Sequence, residues 1–142
     1  MANELDYDIG GLDVTLQFIS ANLSTGAGTV DMTLGQLGTG FKVPANYVFH
    51  PLCLSVTFTG TLDADSTVIA RVIDDGTELT NGPTATVNQA DTVTHVAAVA
   101  RVGAAPVAAG SVVGVSLTKD ADYDTTGTID WDAVLIGKLL PA

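Results

Sequence analysis

The sequence has little cysteine, little positive charge and no long apolar run, and each shortage excludes a class of protein. The single cysteine, Cys53, cannot form an internal disulfide. Five basic residues, scattered singly, stand against sixteen acids, and the net charge of -11 argues against binding to nucleic acid. No apolar run approaches the ~20 residues that span a bilayer, and residues 1–6 lack the basic and apolar parts of a secretory signal. We therefore expect a soluble protein that binds neither nucleic acid nor membranes.

Catalytic side chains in a recognisable arrangement are also lacking. A nucleophilic serine or cysteine needs a neighbouring base, and no motif pairs His50 or His95 with Cys53 or with a serine. The same three residues show no zinc-ligand spacing. Glycoside hydrolysis needs two acids across a cleft, but the only glutamates, Glu4 and Glu78, lie in a terminus and in a turn. The sequence predicts no enzyme, no catalytic or metal-binding residue and no cofactor.

The acids that most resemble a binding site are Asp120, Asp122 and Asp124, because Ca²⁺ prefers several hard oxygens close together. The segment fails as an EF-hand loop. Thr125 stands at the sixth position, where glycine is needed, and Trp131 at the twelfth, where a bidentate glutamate is needed. Alternate acids also share a solvated face or cap backbone amides in a turn. We favour a solvated loop and leave a structural calcium site as the alternative.

Strand-forming residues and regularly spaced turns predict an all-β fold. Val and Thr are abundant, and no window shows the sustained apolar stripe of a long helix. The clearest alternation, Leu52, Leu54, Val56 and Phe58, is predicted to face the core. The chain is therefore predicted to form a jelly-roll-like β-sandwich of about eight antiparallel strands. The predicted strands span residues 14–19, 28–34, 52–58, 68–73, 84–90, 92–102, 112–118 and 129–139.

Turn residues mark the connections between these strands. Asp75-Gly76 predicts a tight hairpin, since both residues can adopt a positive φ. The Gly-rich stretch 35–46 and the segment 104–110, which contains a proline, are predicted to be loops. The run 96–100 has an ambiguous pattern, and we assign it to a strand because it lies within a Thr/Val-rich region.

Trp131 stands between Asp130 and Asp132, which leaves two interpretations. A surface tryptophan between carboxylates is a platform on which a sugar stacks, whereas an inward one anchors the core. Trp131 lies on the same side of the predicted strand as Leu135 and Leu139, which favours the interpretation as a core residue.

The first residues differ from the remainder of the chain. Four acids and a Gly-Gly pair within residues 1–13 predict an acidic N-terminal arm, and residues 14–142 are predicted to form a single β-sandwich domain. We expect the arm to order on a partner.

Three segments in order carry a resemblance to a known family. Residues 41–51 lead into the alternating strand, residues 60–83 run through the Asp-Gly turn, and residues 106–115 precede the acidic stretch. This order, over roughly residues 40 to 136, resembles the jelly-roll capsid decoration (cement) proteins of tailed bacteriophages.

The resemblance implies a structural protein that is made in a host cytoplasm and docks on the outside of a phage head. Its implied partners are the major capsid protein and further copies of itself in a homotrimer. Similar sandwiches also bind carbohydrates or receptors on tails and head fibres, and here Tyr47, Tyr123 or Trp131 would form that site. A fibre segment is not recognisable in the sequence, which favours decoration.

Overall fold

The computed structural model describes residues 11–142 except 22, 36, 37, 39, 64, 89–94 and 100–102. The described residues form ten β-strands and no α-helix, which confirms the all-β prediction. No described helix is therefore long and apolar enough to cross a membrane. The strands are β1 Leu12–Ala21, β2 Gly28–Asp31, β3 Phe41–Lys42, β4 Tyr47–Leu62, β5 Thr67–Asp74, β6 Thr77–Glu78, β7 Thr84–Asn88, β8 His95–Val99, β9 Val112–Lys119 and β10 Thr125–Pro141.

The strands build two antiparallel sheets that pack as a sandwich. Sheet A has the order β1-β10-β4-β8. Sheet B has the order β2-β9-β5-β6, with β3 paired to β9 and β7 paired to β5. Every strand pair is antiparallel.

The pairing of the eight longer strands is nested, and this nesting defines the topology. The first long strand pairs with the last (β1 with β10), and the second pairs with the second-to-last (β2 with β9). Inside these lie β4 with β8 and β5 with β7. A long hairpin rolled up so that successive pairs alternate between two sheets is a jelly roll. The predicted jelly-roll-like sandwich is confirmed, with β3 and β6 as short additions.

Most predicted strands are present with shifted ends, and two short strands were missed. β3 lies inside the stretch 35–46 that was predicted to be a loop, and it pairs with the start of β9. β6 is the short return strand of the hairpin after β5. In the segment 104–110, Val107 forms an isolated bridge with Phe49, although no strand is present there. The run 96–100 is a strand as predicted, through the described residue Val99.

The predicted Asp-Gly hairpin is confirmed in its backbone conformation. Asp75 has φ 47° and Gly76 has φ 83°, so both central residues are in the left-handed region. The flanking pairs Ile73–Glu78 and Asp74–Thr77 close the two-residue turn. This is the geometry of the mirror-image turns that match the twist of paired strands.

The core lies between the sheets and is built from one phase of each strand. Leu54, Val56 and Phe58 of β4 are buried as predicted, and so is Trp131 of β10. Because side chains alternate along a strand, the intervening residues of β4 and β10 face outward. The largest fully buried side chains are Trp131, Tyr123, Phe18, Phe49, Met32, Leu54, Leu117, Ile129, Leu135, Val43, Val56 and Val68.

The prediction that Leu52 is buried is wrong, because 44% of this residue is exposed. The register between β10 and β4 shifts at this point: Ile136 pairs with Cys53, whereas Gly137 pairs with Pro51. Leu52 is therefore the extra residue of a β-bulge, which breaks the alternation. A regular alternation would place Leu52 on the same buried side of the sheet as Leu54, and the extra residue prevents this.

Gly137 fits this bulge because the opposite strand comes very close. A Cβ atom at position 137 would lie 2.4 Å from Cζ of Phe49 and 2.6 Å from the carbonyl oxygen of His50. Real Cβ atoms do not approach so closely, so the aromatic ring of Phe49 occupies the space that a side chain would need.

The boundary between arm and sandwich also differs from the prediction. β1 begins at Leu12, so Leu12 and Asp13, which the sequence assigned to the arm, belong to sheet A. Residues 1–10 of the predicted arm lie outside the described residues.

Candidate interaction surfaces

The structure does not bring the candidate catalytic residues together. His50 and Cys53 lie on β4, opposite Lys138 and Ile136 of β10, and His95 lies on β8 opposite Thr57. Cys53 is a free, partly exposed thiol. Among the described residues, no group of three His, Cys, Asp or Glu side chains is placed to hold a metal ion.

The acidic stretch after β9 is a turn held by hydrogen bonds from a buried serine. Ser66, in the β4–β5 connection, is fully buried. Its hydroxyl lies 3.3 Å from the carbonyl oxygen of Asp122 and 3.1 Å from that of Asp124, and it accepts a hydrogen bond from the Asp124 N–H at 3.0 Å. The hydroxyl thus accepts from one main-chain N–H of the acidic turn and has two carbonyl oxygens within reach of its single proton.

Further hydrogen bonds tie the same two loops together at this end of the sandwich. The Asp63 N–H donates to the Asp124 carbonyl at 3.0 Å, and the Thr126 hydroxyl donates to the Asp63 carboxylate at 2.7 Å. The Asp124 carboxylate accepts from the Thr125 N–H at 2.8 Å. Asp122 and Asp124 are exposed. For Asp122 and Asp124 these contacts fit the favoured interpretation of a solvated loop, whereas Asp120 is partly buried and its Oδ1 has no hydrogen-bond partner among the described residues.

The aromatic residues of the sugar-binding alternative are mostly buried. Trp131 and Tyr123 are each only 1% exposed, so neither ring offers a platform for a sugar. Tyr47, at the start of β4, is partly exposed. The interpretation of Trp131 as a core anchor is confirmed, and a site built on Trp131 and Tyr123 is wrong.

The polar atoms of these two rings lie inside the sandwich. Neither Tyr123 Oη nor Trp131 Nε1 has a partner in hydrogen-bonding geometry. Burial raises the pKa of the Tyr123 phenol, and the nearby indole N–H of Trp131 offsets part of that rise. Since the two atoms do not reach hydrogen-bonding geometry, we attribute the offset to the indole dipole alone.

A buried lysine lies beside the same ring. Lys119, the last residue of β9, is 4% exposed. Its Nζ donates hydrogen bonds to the carbonyl oxygen and to the hydroxyl of Ser24. The Nζ also lies 5.3 Å from the centre of the Tyr123 ring, within cation–π range. The ammonium thus has polar contacts although it is buried.

The outward side of sheet A carries apolar and uncharged polar side chains between its charged ends, and we refer to it as the A face. Ile19, Leu52 and Ile136 are among the large hydrophobic residues exposed by more than 40%. Charged groups lie toward its two ends: Asp130 and Asp132 at one, and the Lys138–Asp13 ion pair at 3.8 Å at the other. The A face consists of Thr15, Gln17, Ile19, Leu52, Cys53, Ser55, Ala97, Val134 and Ile136.

The described part of the chain has shallow depressions on its surface, and two of them are defined by their lining residues. One, of about 450 Å³, lies between the β3–β4 turn (Lys42–Ala45) and Ala109-Gly110. The other, of about 260 Å³, borders the A face at Ile19 and Ser20, beside Asp130 and Asp132.

One edge of sheet A is formed by β1. Ile19 donates to and accepts from Thr33, at 2.8 and 2.9 Å, so its main-chain groups point away from β10. Because successive residues of a strand direct these groups to alternate sides, those of Asp13, Thr15 and Gln17 also point away from β10. They have no hydrogen-bond partner among the described residues.

Comparison with known proteins gives only distant structural likenesses. No protein-family model and no curated protein matches the chain. One similar solved structure is the acid-stable capsid of the Helicobacter pylori bacteriophage KHP30, at 14% identity over 93% of this chain and 94% of that chain, with a TM-score of 0.49. Another is the capsid asymmetric unit of cyanophage Pam1, at 18% identity over 93% and 87%, with a TM-score of 0.46.

A third, more distant likeness is the structure of the infectious bursal disease virus Gx strain. It has 13% identity over 93% of this chain and 40% of that chain, with a TM-score of 0.25. The assignment of the jelly roll therefore rests on the strand pairing described above.

Proposed function

We propose that this chain is a capsid decoration protein that docks on the outer surface of a phage head and stabilises it. Its partner is the major capsid protein. The order of segments in the sequence resembles that of phage decoration proteins, and the nested strand pairing agrees with the jelly roll expected from it. A protein that binds the assembled shell and not its separated subunits stabilises the shell by mass action.

The observation that carries the proposal is the A face. Exposed, contiguous apolar surface on a small protein marks a place where another protein binds. Leu52, in the bulge, and Ile136, opposite Cys53, supply such surface in a chain whose net charge is -11. We propose that the A face contacts the capsid.

The acidic segment 1–13 is proposed to enlarge this contact. Its last two residues belong to β1, at the end of the A face where Asp13 pairs with Lys138. A segment that orders on a neighbouring subunit adds interface, although the ordering entropy offsets part of the gain.

The alternative, a carbohydrate- or receptor-binding sandwich on a tail or head fibre, is less well supported. Two of its three candidate aromatic residues, Tyr123 and Trp131, are buried. Partly exposed Tyr47 is the remaining candidate of the three.

The direct test is to mix the purified protein with heads that lack it and to measure occupancy and the temperature at which the heads open. We expect saturable binding and a higher opening temperature. Ile136→Asp should weaken attachment about tenfold, because it places a charge in the centre of the A face. Thr86→Asp, on the outward side of sheet B, is the matched control and should bind like the wild type. Binding to tails or sugars but not to heads would contradict the proposal.

A second variant tests the segment at the N-terminus. Deleting residues 2–10 removes most of the acidic segment and leaves β1 whole. We expect weaker attachment with an unchanged far-UV circular dichroism spectrum. If the shortened chain binds heads as tightly as the full chain, the segment has no part in docking.

A further inference from the structure

The edge strand β1 lacks most of the features that normally prevent pairing with another strand. Sheet edges are usually kept apart by charged side chains, above all lysine, by proline, by a bulge or by being short, and the one charged residue of β1 is Asp13. β1 contains neither lysine nor proline, and it pairs with β10 over ten consecutive residues without a register shift. The other edge strand of sheet A, β8, has five residues, and β2 at the edge of sheet B has four. β1 is thus the longest edge in the described part of the chain.

The available hydrogen-bonding groups on this edge form a short, bounded row. The free main-chain groups belong to Asp13, Thr15 and Gln17. Ile19 is already occupied by Thr33, so an incoming strand must end its pairing opposite Gln17. Three residues with alternate free groups bind an antiparallel strand through three hydrogen-bonded pairs.

We propose that the occupant of this edge is β1 of a second copy, related by a two-fold axis through Thr15. In this register Thr15 meets Thr15 of the second copy, and Asp13 meets Gln17 twice. This is the symmetric antiparallel register in which the three free residues of one copy pair only with the same three residues of the other copy. An interface related by a two-fold axis must be complementary to itself, and this row satisfies that condition.

The side chains of the row also match in chemistry. On the outward side, a Thr–Thr pair is a favourable cross-strand pair, and the Gln17 amide can donate to the Asp13 carboxylate opposite it. On the inward side, Val14 meets Leu16 and Leu12 meets Phe18. Leu12 is 53% exposed in the single chain although its phase is that of the buried residues, and the second copy would cover it.

The resulting dimer has one continuous eight-stranded sheet made of two copies of sheet A. This pairing does not depend on attachment to a phage head, so it stands or falls apart from the proposed function. This dimer differs from the homotrimer implied by the sequence resemblance. The homotrimer predicts an assembly of three times the chain mass, whereas the β1 pairing predicts twice the chain mass.

Sedimentation equilibrium of the full chain, at physiological ionic strength and up to high concentration, tests the proposal. We expect a reversible monomer–dimer equilibrium. A chain that stays monomeric, or that forms trimers, overturns the pairing.

Substitutions at Thr15 locate the axis. Thr15→Lys places two ammonium groups opposite each other, Thr15→Asp places two carboxylates there, and each variant alone should dimerise about fivefold more weakly. An equimolar mixture of the two variants should regain dimerisation, since opposite charges then meet. Gln17→Lys should strengthen the dimer, because it faces Asp13 of the second copy.

Thr86→Lys, an exposed threonine on the edge strand β7, is the matched control and should leave the dimer unchanged. All variants lie at exposed positions, and their far-UV spectra should match the wild type. Wild-type dimerisation by Thr15→Lys, or no recovery in the mixture, overturns the two-fold register. Binding of the wild-type chain to heads is measured separately and decides only the proposed function.

Discussion

Phe58 and Trp131 are direct partners across β4 and β10, with ring centres 5.0 Å apart and ring planes inclined by 36°. Both belong to the buried phase of their strands. The pair therefore joins the two central strands of sheet A within the core, and offset aromatic pairs of this kind add to the free energy gained from burial.

Phe58→Ala should lower the free energy of unfolding by about 3–5 kcal/mol, because it removes the ring and leaves a cavity against Trp131. Leu52→Ala in the same strand is the control and should cost less than about 1 kcal/mol, since Leu52 lies exposed in the bulge. Chemical denaturation of both variants measures the difference. Equal losses would show that the bulge does not place Leu52 in solvent.

Gly137→Ala should destabilise the protein by about 1–3 kcal/mol, since the added methyl group overlaps the Phe49 ring and the His50 carbonyl. Gly28→Ala is the matched control in a strand. Its added Cβ would meet no atom closer than Cε of Lys119 at 3.7 Å. Thermal unfolding should show a clearly lower Tm for Gly137→Ala alone. A wild-type Tm for that variant would mean that the backbone at the bulge yields freely.

Ser66→Ala should cost about 1–3 kcal/mol, because the main-chain groups of Asp122 and Asp124 lose the hydroxyl that joins the two loops. Thr86→Ala removes an exposed hydroxyl and should change stability little. Hydrogen exchange of the Asp124 amide should also become faster in Ser66→Ala. Unchanged exchange would show that the serine does not protect this turn.

The buried phenol of Tyr123 predicts a loss of stability at alkaline pH. Its pKa is raised in the folded protein, so above pH ~10 the unfolded chain releases this proton more readily than the folded one. Tyr123 thus contributes stability that is full below the unfolded pKa and is lost as the pH rises toward the folded pKa. Tyr123→Phe should reduce the fall in the free energy of unfolding between pH 9 and 11, where ~10 is the midpoint for an exposed tyrosine.

At neutral pH the same substitution should be close to neutral or slightly stabilising, because the hydroxyl it removes is buried without a hydrogen-bond partner. Denaturant titrations at neutral pH, at pH 9 and at pH 11 measure both effects. An identical alkaline loss in the wild type and in Tyr123→Phe would contradict the account.

Local patterns in the sequence predicted the elements of this fold better than their arrangement. Alternation identified the buried phase of β4 beyond the bulge, and Asp75-Gly76 identified the hairpin, since both signals lie within a few residues. The nested pairing depends on contacts between distant segments, which a period of two does not encode. The bulge had a signal that was not used, namely Pro51 inside a strand pattern and Gly137 inside another.

The surfaces were the least predictable part of the molecule. Alternation assigned outward positions to β10, but it did not reveal that Val134 lies opposite Ser55 and Ile136 opposite Cys53, next to the bulge at Leu52. The free groups of β1 follow from the bridge between Ile19 and Thr33, a tertiary contact with no local signature. Trp131 was predicted correctly because its apolar phase extended over several residues.

The nested order of the strands has a consequence for how the protein acquires its structure. β1 and β10 come from opposite ends of the described chain, so the contacts between them form only after the whole sequence has been synthesised. Closing such long loops costs chain entropy before the stabilising contacts form, and this cost slows folding. Domains dominated by distant pairings fold in about milliseconds to seconds. During that interval the edge of β1 that later pairs with β10 has no partner. Until β10 is in place, this edge is open to pairing with another chain.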